Sequence, residues 1–199
     1  SRSADGVSGD GGFWLRTDPA SLRADRDQLL LVNWDLDDLD AQIAQSLAQR
    51  LIPLFDPMGW RLFAPTPQRW YVVAPADLQV RTFAPQPCMG ASIQDRLPFG
   101  RDAAVLRRLL TEVQMTLHMA PENHTRSEPG LPVVNSVWFW GLGAAPITAP
   151  SRFAEHLWSE DTLTIGLARA AGVPFDPLPA DARALRLSGE SWLSVLSIQ

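Results

Sequence analysis

Between Leu117 and Gly143 the sequence reads LHMAPENHTRSEPGLPVVNSVWFWGLG, a stretch dense in side chains that can do chemistry. Histidines such as His118 and His124 exchange protons near neutral pH. Asn123 and Asn135 each pair a donor with an acceptor, and Arg126 can grip a carboxylate or phosphate through two parallel bonds. Ser136, Trp138 and Trp140 follow within one apolar run, the indoles offering faces on which a ligand could stack. These residues form the candidate ligand-binding set. His118, Asn123, Arg126 and Asn135 are expected to converge where a helix ends near Pro121 and the next strand begins at Asn135.

The spacing excludes several familiar sites. His118, Glu122 and His124 could supply three metal ligands, but they match no zinc signature such as H-E-x-x-H, so no metal site is assigned. Ser136 lies near both histidines without the G-x-S-x-G elbow of a serine hydrolase, and no catalytic residue is assigned. The Gly141-Leu142-Gly143 turn opens no glycine-rich helix, so no dinucleotide or phosphate-loop cofactor has a visible seat, and the cofactor is left unknown. Asp35, Asp37, Asp38 and Asp40 precede an apolar periodicity, where carboxylates cap a helix rather than bind a cation.

The elements that must position these residues follow from periodicity. Apolar runs at Phe13 to Arg16 and Leu29 to Val32 are short enough for strands, with a charged connection between them. Leu39, Ile43, Leu47 and Leu51 repeat every four residues, which predicts a helix that kinks or ends at Pro53 to Phe55. Trp60 to Phe63 and Arg69 to Ala74 predict a hairpin, and LQVRTFAP a third strand. Asp102 is the expected cap of a helix reaching about Met119, with Leu106, Leu109, Leu110, Val113 and Leu117 on its buried stripe and Gln114 and His118 on one flank. Glu122 to Arg126 are expected in a loop.

VVNSVWFWG reads as a strand buried on both faces, Asn135, Val137 and Phe139 pointing one way and Ser136, Trp138 and Trp140 the other. SEDTLTIGLARAAGVP predicts a third helix stopped by Gly172, and SWLSVLSIQ a last strand. The fold class is therefore α+β or α/β, a mixed sheet with about three helices packed on it in a single layered domain over residues 13–199. Residues 1–12, rich in Ser, Gly and Asp, read as a flexible linker or cleavage remnant, and the chain as a fragment of a longer one.

Composition narrows the partners. The 199 residues carry a net charge of −5, and all 17 basic residues are arginines scattered along the chain, which argues against nucleic acid. No apolar run reaches the length of a membrane span, and Cys88 is the single cysteine, which points to a reducing, cytoplasmic setting. A small anionic metabolite or a protein remains as the expected partner, in an unknown oligomeric state.

RADRDQLLL, RWYVVA, DRLPFGRDA, the long run from Leu109 to Gly143 and LARAAGVP together resemble the RpfE-type regulatory proteins of proteobacteria, whose relatives often carry the name cofactor-independent phosphoglycerate mutase. The family pattern around the helix end is similar to L-H-x-H-P-x-N, an arginine-glutamate pair, and V-N-S-x-W-x-W-G-G-G. This chain matches it at His118, Pro121, Asn123, Arg126, Asn135, Ser136, Trp138, Trp140, Gly141 and Gly143, and departs at Ala120 and Leu142. The resemblance implies a regulatory or small-ligand-binding protein. Its alternative is a phosphoryl-transfer or hydrolytic enzyme with a site around His118, Asn123, Arg126 and Asn135. Mutases of that kind use a serine nucleophile and a two-metal cluster of aspartates and histidines. His118, His124 and His156 are the histidines available and stand in no Asp-x-x-His spacing, so the expectation leans away from catalysis by this chain.

Overall fold

The computed structural model describes residues 12–144, 151–152, 154–179 and 192–194, together with Asp5. The chain divides into two compact units, Asp10–Ala145 and a second made of Ser1–Gly9 with Pro146–Gln199. Strands and helices are mixed in it, as the periodicity predicts, and the larger sheet is antiparallel.

One long strand organises the first unit. β1 runs Phe13–Asp25, well beyond the short strand and charged connection expected, and turns through Arg26 and Asp27 into β2, Gln28–Asn33. Arg26 takes a φ of 55°, the left-handed conformation that a two-residue hairpin turn asks for. β3 (Arg61–Phe63) and β4 (Tyr71–Ala74) form the expected hairpin, and β4 pairs with Phe13 to Arg16 of β1. β5, Ser136–Ala144, covers the opposite edge of β1 from Phe13 to Ala20. Along its other edge β1 therefore pairs first with β4, then from Ser21 onward with β2. In the gap between them lies Pro19, which by backbone alternation shares the edge of Thr17. Its missing amide hydrogen costs no ladder bond there.

The core confirms the alternation read from the Trp-Phe-Trp run. Val137 and Phe139 join the larger apolar cluster, while Trp138 joins a second cluster with Ala20, Leu22, Leu31, Cys88 and Ile93, against which Trp140 packs. The larger cluster takes its helical side from α1, Ala41–Phe55, and α2, Ala103–His118. Asp40 caps α1, its carboxylate accepting from the amides of Gln42 and Ile43 at 2.8 and 3.2 Å, so one member of the acidic cluster does the capping work expected of it. Pro53 lies inside the last turn of α1, and a short 3-10 turn over Asp56–Met58 follows.

α2 begins and ends where expected, with two differences. Asp102 precedes it but makes no side-chain cap; its carboxylate instead accepts from the Gln79 amide at 2.8 Å and from Arg101, pinning the incoming loop. The buried stripe is Leu106, Leu109, Val113 and Leu117, whereas Leu110 is half-buried at the edge of the cluster. Each fully buried leucine contributes about 1.5 to 3 kcal/mol. Leu110→Ala is therefore expected to cost about 1 to 2 kcal/mol in urea unfolding, less than a central leucine would; a loss above about 4 kcal/mol would place Leu110 in the core after all.

LQVRTFAP forms no named strand; only Arg81 pairs, in a single bridge to Phe99. Pro75 precedes this segment and Pro85 ends it, and Gly100 takes a φ of 119° with its backbone against that of Gln79, where a Cβ would come within 2.8 Å of the Gln79 carbonyl oxygen. Glu122–Ser127, expected as a loop, is a short helix, α3. Its Glu122 accepts from the Ser46 hydroxyl and from Arg50 Nε at 3.0 Å, joining α3 to α1. Burial would raise the Glu122 carboxyl, but these bonds from Ser46 and Arg50 hold it below the ordinary glutamate value of 4.5. With a lowered folded value, its contribution is present above about 4.5 and is lost as pH falls through the folded value. Unfolding titrated between pH 6 and about 3 should show that loss, and Glu122→Gln should remove it; an identical acid limb in wild type and variant would refute the linkage.

The second unit is parallel. β6 (His156–Trp158) pairs with β7 (Phe175–Asp176) and β8 (Trp192–Ser194), and α4, Thr162–Ala171, connects β6 to β7. Asp161 caps α4 by accepting from the Thr164 amide at 2.7 Å, and Gly172 closes it with a φ of 65°. The expected strand SWLSVLSIQ is seen over Trp192–Ser194, its remainder lying outside the described residues.

Candidate functional site

The polar residues of the opening motif lie around the end of α2 and the entry to β5, but the set expected to converge is split, and most of them are occupied with backbone. Asn123 is buried. Its amide nitrogen donates to the carbonyls of Leu117 and Val134 at 2.8 and 2.9 Å, and its oxygen accepts from the Val134 amide at 2.9 Å. It thereby adds a second donor to the Leu117 carbonyl, which also accepts from the Ala120 amide at 3.1 Å, and ties the end of α2 to the chain that enters β5. Arg126 is 2% exposed, its guanidinium donating to the Pro132 carbonyl at 2.9 Å and to the Asp38 carbonyl and carboxylate at 3.2 and 3.0 Å. Asp38, second of the acidic cluster to find a role, is thus the counter-ion of α3.

Asn135 imitates a strand residue. Its side chain accepts from the Leu22 amide at 2.8 Å and donates to the Leu22 carbonyl at 2.7 Å, extending the β1–β5 ladder by one amide pair. Ser136 is fully buried, its hydroxyl 3.3 Å from the Val137 carbonyl, and Trp138 donates to the Phe83 carbonyl at 2.8 Å. His118 and His124 are exposed. His118 and Asn135 line one hollow, which Asn123, His124 and Arg126 do not reach. The two departures from the family pattern serve packing: Ala120 is buried in the main cluster and Leu142 packs against it.

Trp140 leads to a cluster that pattern reading missed. Its indole donates at 2.7 Å to the carboxylate of Asp18, which also receives Arg16 at 2.7 and 2.9 Å and the Trp70 amide at 3.1 Å. Asp18 is fully buried. Burial pushes its carboxyl above the ordinary aspartate range, and the Arg16 charge and the bonds from Arg16, Trp140 and Trp70 offset that only in part. The Arg16 guanidinium lies over the rings of Trp140 and Tyr71, at 4.8 and 5.3 Å, and Trp34 meets Trp140 edge-on at 6.4 Å. Gly141 neighbours it in left-handed backbone, φ 64°, a conformation that glycine adopts without strain, and its Cβ position lies 3.7 Å from Arg16 Cγ. The cluster occupies the gap where β1 changes partner, and the Asp18 carboxylate takes the Trp70 amide that a longer ladder would have paired. The signal in the sequence was Arg-Thr-Asp-Pro inside an apolar run, a charge pair in a strand.

Chemically these groups position and balance charge. Among the described residues no three His, Cys, Asp or Glu side chains gather as the metal cluster that the resemblance implies. Nor is any described helix long and apolar enough to cross a membrane.

No family model matches the chain. Curated relatives do. The chain is 34% identical over 106 residues, 53% of its length and 26% of the relative's, to the 2,3-bisphosphoglycerate-independent phosphoglycerate mutase of Methanothrix thermoacetophila. It is also 34% identical over 89 residues to the probable enzyme of that name from Geobacter sulfurreducens, covering 45% of this chain and 22% of the relative. It thus spans about a quarter of the length of these relatives. Among solved structures, the cofactor-independent phosphoglycerate mutase of Thermoplasma acidophilum aligns with a TM-score of 0.54 at 18% identity, over 89% of this chain and 52% of that one. The fold is shared.

Proposed function

We propose that the chain is a phosphoglycerate-mutase-like protein whose Asp10–Ala145 unit is a scaffold for recognising phosphorylated three-carbon acids, without carrying the phosphoryl transfer on its own residues. The 34% identity to the Methanothrix mutase carries the first half of this reading. The second half is supported by where the motif residues are spent: Asn123, Arg126 and Asn135 are held by backbone groups and by Asp38, and no metal-ligand set gathers among the described residues. A regulatory role of the RpfE kind is compatible with such a scaffold and has only the sequence motifs in its favour.

The test is a pair of measurements on the purified chain. 3-Phosphoglycerate is expected to raise the melting temperature in a saturable way, and interconversion of 3- and 2-phosphoglycerate with manganese supplied is expected to stay at background. No thermal response would overturn the mutase-like reading. Turnover abolished by a chelator would overturn the scaffold reading.

A further inference from the structure

The hollow at the end of α2 has a composition that the structural roles above leave unexplained. It measures about 330 Å³, the size of a small-molecule site. Leu22, Leu29 and Met115 make its apolar wall, and Gln114, His118 and Asn135 its polar one. The Asn135 amide is engaged with the Leu22 backbone, but the side chains of Gln114 and His118 have no hydrogen-bond partner among the described residues. A narrower cavity adjoins it, sharing Leu22 and Gln114 and lined further on by Arg96, whose guanidinium lies 5.3 Å over the Phe83 ring. Arg96 and His118 are the basic side chains of this double hollow, and no carboxylate lines either part among the described residues. In a chain of net charge −5 that local absence of acids matters, because an anion entering here meets no like charge among the described wall residues.

We propose that this hollow binds a small monocarboxylic acid with an apolar body, the body against Leu22, Leu29 and Met115 and the carboxylate toward His118 and Gln114. One imidazole and one amide can satisfy a single carboxylate, whereas a doubly charged phosphate draws more donors than this wall presents. The site is independent of the mutase relationship, and its failure would leave that reading standing.

Calorimetric titration of the full chain with benzoate tests it, beside benzyl alcohol, which keeps the body without the charge, and inorganic phosphate, which keeps charge without the body. His118→Gln and Met115→Glu are suitable variants because both side chains are exposed and can change without disturbing the core. Saturable one-to-one binding of benzoate is expected, weakened about tenfold or more in each variant, with benzyl alcohol and phosphate weaker by a similar margin. Absence of saturable benzoate binding would overturn the proposal. So would affinity unchanged in either variant, or benzyl alcohol or phosphate binding as tightly as benzoate.

Discussion

Asp18→Ala is expected to lower the unfolding free energy by about 3 to 5 kcal/mol, because the change removes the acceptor around which a buried cluster is built. The Arg16 guanidinium would keep its charge with a side chain only 11% exposed, and the Trp140 indole and Trp70 amide would lose their acceptor. Each buried donor left without a partner costs about 1 to 3 kcal/mol, more when it is charged. Asp18→Asn keeps an oxygen for one or two of these donors but loses the charge that answers Arg16, so a smaller loss, about 1 to 3 kcal/mol, is expected. Urea unfolding of the two variants measures both. A loss below about 1 kcal/mol for Asp18→Ala would mean that water enters the gap between β4 and β2 and replaces the carboxylate.

The cluster shows what local pattern can and cannot reach. The two-faced burial of Ser136 to Trp140 was legible because period-two alternation in an unbroken apolar run leaves one solution, and α1, α2 and α4 were legible from spacing that one helix face satisfies. β1 was not. Its middle carries Arg16, Thr17, Asp18 and Pro19, which on their own propensities end a strand. They stay in one because β5 pairs along one edge while Asp18 stands in for a ladder partner on the other, and these partners are far off in sequence, Trp70 by 52 residues and the β5 residues by more than a hundred. Leu110 and Asp102 were misjudged on a smaller scale. Helical spacing gives a stripe without saying which of two adjacent leucines faces the sheet, and a capping residue type does not reveal that the Gln79 amide will compete for its carboxylate.

The candidate site was half legible in the same sense. Residue type and order placed Asn123, Arg126 and Asn135 at the junction of a helix end and a strand, but side-chain type cannot distinguish a group that meets a ligand from one that meets backbone. Asn123 and Asn135 each form a matched donor–acceptor pair with a single backbone residue, Val134 and Leu22, a geometry that a peptide group would otherwise supply. His118 differs because it is left exposed at the rim of a hollow.

Whether the polar residues of the motif hold the scaffold without touching ligand turns on Arg126. Arg126→Ala leaves the carbonyls of Pro132 and Asp38 without their donor and opens a void under α3, for an expected loss of about 2 to 4 kcal/mol. Asp38 is 35% exposed and can rehydrate, which keeps the figure below that for a fully buried pair. The decisive measurement is the melting temperature of Arg126→Ala with and without saturating 3-phosphoglycerate. A lowered melting point without ligand and an undiminished ligand-induced rise are expected. A variant that melts like wild type and no longer responds to 3-phosphoglycerate would contradict the account, and would make Arg126 a ligand contact.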